Sequence, residues 1–120
     1  MKRLLIGLLL IGFTSCNKEK EVDCNLSKGD QAVVEMPIIF TASEDGDGVI
    51  SSLTYKVGDT QETITSPYLP WTITIDATEG DDILITATGT VKNGSIKITY
   101  EGKSGGIEIA GSDDCSNYYD

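Results

Sequence analysis

The chain of 120 residues contains no histidine, only three cysteines and three prolines, and no apolar run longer than ten residues. Without histidine, catalytic sites of the Ser-His-Asp or Cys-His kind are excluded in their usual form. Zinc is disfavoured because histidine and a Cys-x-x-Cys spacing are both missing. The apolar run Leu4 to Phe13 is about half of the roughly 20 residues that a membrane-spanning helix needs. No Gly-rich loop opens a helix, so nucleotide binding is not indicated.

Acidic residues outnumber basic ones by 19 to 9, which gives a net charge of −10. Eight of the 19 acids cluster at turn signals rather than at strand centres: Glu44, Asp45, Asp47; Glu79, Asp81, Asp82; Asp113, Asp114. Acids in turns are typical of solvated surface, not of the paired carboxylates of a glycosidase. So acidic a chain is not expected to bind nucleic acid or anionic headgroups. We therefore predict no catalytic residue, no cofactor and no enzymatic activity.

Residues 1–15 have the features of a secretory signal peptide, since a basic start precedes an apolar run and two small residues. Cys16 follows directly, and Phe13-Thr14-Ser15-Cys16 resembles the lipobox of bacterial lipoproteins. That resemblance implies that Cys16 becomes the first residue of the mature chain and carries lipid on its sulfur and its amine. The alternative is an ordinary secreted protein in which Cys16 lies near the cleavage site.

Residues 16–30 are interpreted as the lipidated cysteine and a flexible tether, followed by one domain at residues 31–120. The segment is polar and charged, with Val22 and Leu26 as its only large aliphatic residues. Its stretch 17–21 also resembles the Lys-plus-acid signal that sends some Gram-negative lipoproteins to the outer cell surface; a plain linker is the alternative. The expected location is the bacterial cell envelope, at the outer membrane. Cleavage after residue 15 removes Lys2 and Arg3 and changes the net charge from −10 to −12.

Two cysteines remain once Cys16 is assigned to the lipid. In an exported protein Cys24 and Cys115 are expected to form a disulfide that joins the two ends of the domain. A metal site is the rival interpretation, and the lack of histidine disfavours it.

From Gln31 onward, apolar residues recur at every second position, which is typical of antiparallel strands with one buried and one wet face. The predicted inward sets are Val34, Met36, Ile38 and Phe40; Val49, Leu53, Tyr55 and Val57, with Ser51 on the same side; Trp71, Ile73 and Ile75; Ile83, Ile85 and Ala87; Ile96, Ile98 and Tyr100; Ile107 and Ile109. Residues 61–65 are predicted to form a further short strand. Because Pro37 cannot donate to a ladder, its strand is expected to be an edge or to carry a bulge.

Turn residues separate these segments. Asn93-Gly94 is the sharpest signal and predicts a two-residue hairpin, because both residues tolerate positive φ. About seven short strands with turns between them predict an all-β fold, a small antiparallel β-sandwich.

Five segments, at residues 53–58, 64–65, 69–71, 84–87 and 94–103, occur in an order that resembles the MmpS (mycobacterial membrane protein, small) family. The matching motif residues are Tyr55, Gly58, Leu69, Pro70, Trp71, Gly94 and Ile96. The chain departs from the family in its lipid-type anchor and in Glu101-Gly102, where the family has Asp-Gly; the family's cysteine in the Gly-x-Ile strand is also missing. The resemblance implies an immunoglobulin-like sandwich that assists large RND-type exporters of lipids and siderophores.

The expected function is therefore a lipid-anchored extracytoplasmic accessory or interaction protein, with an RND-type membrane transporter as the partner that the resemblance implies. The predicted contact surface is formed by threonines on wet faces: Thr72, Thr74, Thr86 and Thr88. One alternative is a cell-surface module that binds glycan or a small ligand through exposed aromatics, namely Tyr68, Tyr118 and Tyr119.

A second alternative is a structural lipoprotein stabilised by calcium. Asp45 and Asp47 are weak candidate ligands, because Asp-x-Asp-Gly is only a fragment of a calcium loop. A tight acidic turn is the competing interpretation of the same residues. Trp71 likewise has two interpretations, as a core residue or as an exposed anchor for a partner.

Overall fold

The structure, a computed structural model, describes residues 20–118, and these form an all-β sandwich as the sequence predicts. The strands are β1 (Val22–Gln31), β2 (Met36–Gly46), β3 (Val49–Val57), β4 (Thr60–Thr65), β5 (Trp71–Ala77), β6 (Asp82–Val91), β7 (Gly94–Ser104) and β8 (Ile107–Asn117). Eight strands are therefore found within the described range, against about seven expected.

The strands form two antiparallel sheets of four. Sheet A has the order β1-β6-β3-β4, and sheet B has the order β5-β2-β7-β8. Five of the seven links cross from one sheet to the other, and only β3–β4 and β7–β8 are hairpins. Sequence neighbours are thus distributed over both layers, and the core lies between them.

Most of the core is built from the alternating residues that the sequence pattern assigns to the inner faces, whereas Ile107, also assigned inward, is exposed at the end of β8. The largest fully buried side chains are Phe40, Met36, Ile38, Leu53, Ile83, Ile85, Ile96, Ile98 and Val91. Because these side chains are mostly β-branched or aromatic, they suit a pleated, half-buried surface. The predicted alternation is confirmed in β6 and β7, where every inward apolar residue is buried.

The first strand corrects the predicted tether. Residues 22–30, expected to be flexible, form most of β1, which pairs with β6 from Val22–Val91 to Gln31–Asp82. The signal in the sequence is the alternation of Val22, Cys24 and Leu26 along an otherwise polar segment. The sandwich thus begins at residue 22 and not at residue 31.

A β-bulge corrects the predicted alternation at the start of β3. Ile50 pairs with Gly89 and Ser52 pairs with Thr88, so Ser51 is an extra residue opposite the β6 ladder. One inserted residue moves the side chains that precede it in the strand to the opposite faces of the sheet. Ile50 is therefore buried, whereas Val49, predicted to face inward, is 54% exposed.

The expected hairpin at Asn93-Gly94 is wrong, because β6 and β7 belong to different sheets. Neither residue has a positive φ. Gly94 is required for another reason: a Cβ at this position would lie 2.2 Å from the carbonyl oxygen of Asp45. The glycine permits the backbones of β2 and β7 to meet closely.

Pro37 also departs from its prediction, since β2 is a central strand between β5 and β7. The β2–β7 ladder begins at the pair Ile38–Gly102, one residue after Pro37. The missing N–H of Pro37 therefore removes no bond from that ladder.

Candidate interaction surfaces

One long side of the sandwich is closed by covalent and polar links between its two sheets. Cys24 on β1 and Cys115 on β8 form the predicted disulfide, with 6.0 Å between their Cα atoms. The Ser27 backbone N–H donates to Asp113 Oδ2 at 3.0 Å, further along the same two strands. Because β1 and β8 are edge strands of different sheets, these links fix the two layers to each other.

The hydroxyl of Tyr100 adds a third link on this side. It donates to Asp30 Oδ2 at 2.7 Å, while the ring is buried in the core. Burial, together with the neighbouring carboxylate, raises the pKa of Tyr100 to about 12. The phenol is thus held in its neutral form, in which it can donate this bond.

The acidic turn at Asp45 and Asp47 lies at the end of the sandwich where β1 begins. We call this end proximal; it comprises residues 20–22, 46–49, 66–70, 92–93 and 117–118. Asp47 Oδ1 accepts the backbone N–H groups of Lys92 and Asn93 at 2.9 and 2.8 Å. These two hydrogen bonds hold the pKa of Asp47 below its ordinary value, and the bond from Asn93 has the larger effect. The carboxylate therefore caps the link between β6 and β7.

Asp45 is engaged at the same end by the terminal part of the chain. Tyr118 donates its hydroxyl to Asp45 Oδ2 at 3.0 Å. No group of three or more cysteine, aspartate or glutamate side chains that could hold a metal ion is found within residues 20–118. Asp47 thus accepts hydrogen bonds from the β6–β7 link and Asp45 accepts one from Tyr118, so both carboxylates are bound to distant parts of the chain.

The chain that enters β1 is tied to the chain that leaves β8. The side-chain amide of Asn117 donates to the carbonyl oxygens of Lys20 at 3.3 Å and of Lys92 at 2.9 Å. The first described residue is thus fixed at the proximal end of the sandwich.

Exposed apolar and aromatic side chains also gather at the proximal end. Tyr68 is 95% exposed, and Tyr118 and Val49 are each more than half exposed. A shallow depression of about 260 Å³ lies beside Tyr68, with Val49 and Leu69 in its lining. Tyr119, the third aromatic of the predicted ligand-binding set, lies outside the described residues.

The motif residues of the MmpS resemblance are only partly brought together. Tyr55 packs between Phe40 and Trp71, with ring centroids 5.6 and 5.7 Å apart. Trp71 is half-buried against the core, as its structural interpretation predicts. The remaining motif residues are spread over the molecule: Gly58 is in the β3–β4 turn with φ of 61°, Leu69 and the cis-linked Pro70 precede β5, and Gly94 and Ile96 are on β7.

The outer face of sheet A carries two uncharged polar rows that run across all four strands. The first row is Ser27, Thr86, Thr54 and Thr63; the second is Asn25, Thr88, Ser52 and Thr65. Thr54 and Thr63 share a hydrogen bond of 2.9 Å between their hydroxyl groups. Of the predicted surface threonines, only Thr86 and Thr88 belong to these rows. The other members were missed because strand pairing is not visible in the sequence.

The outer face of sheet B has a different character. It carries one hydroxyl row, Thr72, Thr41, Thr99 and Ser112. Charged residues lie on either side of that row: Asp45, Asp76, Lys97, Glu101, Glu108 and Asp114. Predicted surface residue Thr74 lies opposite the partly exposed Ile39. The two faces therefore differ mainly in charge.

Comparison of the chain with protein-family models, with curated proteins and with solved structures yields no match. The MmpS resemblance therefore stays a prediction. Within residues 20–118, no helix is long and apolar enough to cross a membrane. The predicted signal peptide and Cys16, the predicted site of lipid attachment, lie outside the described residues.

Proposed function

We propose that this chain is a lipid-anchored interaction protein of the bacterial envelope, which meets its partner through the outer face of sheet A. The signal features of residues 1–16 support export and lipid attachment. The disulfide between Cys24 and Cys115 supports an oxidising location outside the cytoplasm. The RND-type exporter that the MmpS resemblance implies is the proposed partner.

The observation that carries this proposal is the neutrality of the sheet A face. Its two rows place eight adjacent positions without a charge on a chain whose net charge is −10. The nearest charged side chains on this face are Asp23 beyond one row and Lys56 beyond the other. Depletion of charge is the compositional mark of the centre of a protein interface.

Threonine and serine suit such a surface for two physical reasons. Uncharged hydroxyl groups lose less on desolvation than carboxylates or ammonium groups do. Threonine is also stiff at χ1, so little side-chain entropy is lost when a partner covers it. Thr54 and Thr86 are already half-buried by their neighbours, which restricts them further.

The size of the face sets the kind of contact. Four strands and the nine residues of β3 span about 19 by 30 Å, or roughly 600 Å². A standard stable interface buries about 800 Å² on each partner. The sheet A face therefore fits a transient or accessory contact, as expected of a protein that assists a larger assembly.

Site-specific photo-cross-linking in intact cells tests this proposal. A photoreactive amino acid replaces Thr86 on sheet A or, as the matched control, Thr99 on sheet B. Both residues are half-buried threonines on a central strand. We expect Thr86 to give an adduct with a large envelope membrane protein, identified by mass spectrometry, and Thr99 to give none.

Three results would overturn the proposal in different ways. Adducts from Thr99 and none from Thr86 would place the interface on sheet B. Normal lipid attachment in a Cys16→Ala variant, measured by intact mass, would contradict the anchor itself. Recovery of envelope glycan instead of protein at Thr86 would favour the glycan-binding alternative.

A further inference from the structure

We infer that the proximal end of the sandwich rests on the surface of a lipid bilayer, with Tyr68 and Tyr118 at the level of the headgroups. This inference rests on the lipid attachment at Cys16 that we propose above. It adds to that proposal the face of the protein that the bilayer contacts and the orientation of the strands relative to the bilayer.

The reach of the chain confines the proximal end to the neighbourhood of the bilayer. Lys20 is bound through its carbonyl oxygen to Asn117 at this end. It follows Cys16 by four residues, which span at most about 14 Å when fully extended. The β1 strand cannot release more chain, because it pairs with β6 along its whole length and Cys24 is covalently bound to β8.

The side chains at this end are of the kind that a bilayer interface accepts. Tyr68 is 95% exposed, and Tyr118 and Val49 are 55% and 54% exposed, although these residues have apolar bodies. Tyrosine is favoured at the interface because its ring enters the apolar region while its hydroxyl stays in polar surroundings. Tyr68 is free to do this, whereas the hydroxyl of Tyr118 is held by Asp45 and Ser95. The shallow depression between Tyr68, Val49 and Leu69 offers further apolar surface to the bilayer.

The charges at the proximal end specify the kind of headgroup. The exposed charged side chains at this end and directly beside it are Lys20, Lys92, Glu21, Glu44, Asp45 and Asp47. The four carboxylates outnumber the two ammonium groups, and this net negative charge is repelled by the negative surface potential that anionic lipids create. We therefore assign the contact to a zwitterionic lipid surface.

This contact also determines how far the rest of the molecule extends from the bilayer surface. With the proximal end on the bilayer, the 11 residues of β7 extend about 37 Å away from it. The distal end, with Val33 and the turn at Gly105, then lies beyond the reach of the headgroups.

Fluorescence quenching in reconstituted vesicles tests this inference on the lipidated protein. All variants carry Trp71→Phe, which removes the single tryptophan of the chain. One variant then carries Tyr68→Trp at the proximal end, and its matched control carries Val33→Trp at the distal end. Val33 is also an exposed apolar residue, at 53%. Each variant is incorporated into phosphatidylcholine vesicles with or without brominated acyl chains, and flotation on a density gradient measures anchoring.

We expect brominated lipid to reduce the emission of the tryptophan at position 68 and to leave that at position 33 unchanged. Including phosphatidylglycerol should weaken the quenching at position 68. Equal emission with and without bromine at position 68, in protein that floats with the vesicles, would overturn the inference while the lipid anchor stands. Equal quenching at both positions would overturn the orientation, and stronger quenching with phosphatidylglycerol would overturn the assigned headgroup. Protein that does not float would contradict the anchor, and the inference with it.

Discussion

Removing the Cys24–Cys115 disulfide should cost this domain a large part of its stability. The bond closes a loop with a sequence separation of 91 residues. In the chain-entropy model, opening a loop of that length raises the entropy of the unfolded chain. The free energy of unfolding falls by about 4.6 kcal/mol at 25 °C as a result. Domains of this size have a total stability of about 5–15 kcal/mol. The double variant Cys24→Ala with Cys115→Ala should therefore melt roughly 20 to 35 °C below the parent.

Urea unfolding of the mature protein in detergent, followed by circular dichroism, measures the effect. Reduction of the parent with dithiothreitol is the matched control, since it opens the same loop without changing a side chain. We expect the two free energies of unfolding to agree, because the loss arises from the unfolded chain and not from packing at Cys24. A loss below about 1 kcal/mol would refute the reasoning, since an effect that small lies well under the 2–4 kcal/mol that is typical of a disulfide.

Three further outcomes test the remaining structural assignments. Ile50→Ala should destabilise the fold by about 2–5 kcal/mol and Val49→Ala by no more than about 0.5 kcal/mol, measured by urea unfolding; the reverse order would contradict the bulge in β3. The raised pKa of Tyr100, about 12, contributes stability that is complete below the unfolded value near 10 and is lost as pH rises to about 12. Tyr100→Phe should remove that alkaline loss in pH-dependent melting, and an unchanged alkaline profile would argue against the bond to Asp30. The lowered pKa of Asp47 contributes stability that is lost as pH falls below about 4. Asp47→Asn should melt lower at pH 7 and lose stability less steeply in acid, whereas parallel acid profiles would contradict its capping role.

The sequence predicts the fold well because a sandwich repeats one simple rule. Alternation of apolar and polar residues along β6 and β7 is enough to assign their inner faces, and both assignments are confirmed. The disulfide was also predictable, because Cys24 and Cys115 are the two cysteines that remain once Cys16 is assigned to the predicted lipid. These inferences need only local periodicity and composition.

The wrong predictions share a dependence on pairing between distant segments. Asn93-Gly94 looks like a hairpin locally, but β7 pairs with β2 and not with β6. The bulge at Ser51 exists only relative to the β6 ladder. β1 resembles a tether in sequence because its exposed edge and outer face are polar, although its inner residues Cys24 and Leu26 are buried.

The candidate surfaces were the least predictable part, for a related reason. A threonine row is a property of four strands in register, and Thr54 meets Thr86 and Thr63 only after folding. Sequence alone identifies threonines on wet faces but cannot tell a continuous neutral face from scattered residues. The contrast with the charged face of sheet B is likewise invisible before the sheet orders are known.

The proposed orientation and the proposed partner surface support each other through geometry. If the proximal end rests on the bilayer, the strands stand steeply on it and the sheet A face points sideways, parallel to the membrane plane. A face in that direction is open to a neighbour embedded in the same membrane. The short reach from Cys16 to Lys20 then keeps the rows of Thr54 and Thr86 within the height of a membrane protein's extracytoplasmic part. A neutral lateral face on a strongly acidic domain is thus best suited to a partner that shares its membrane.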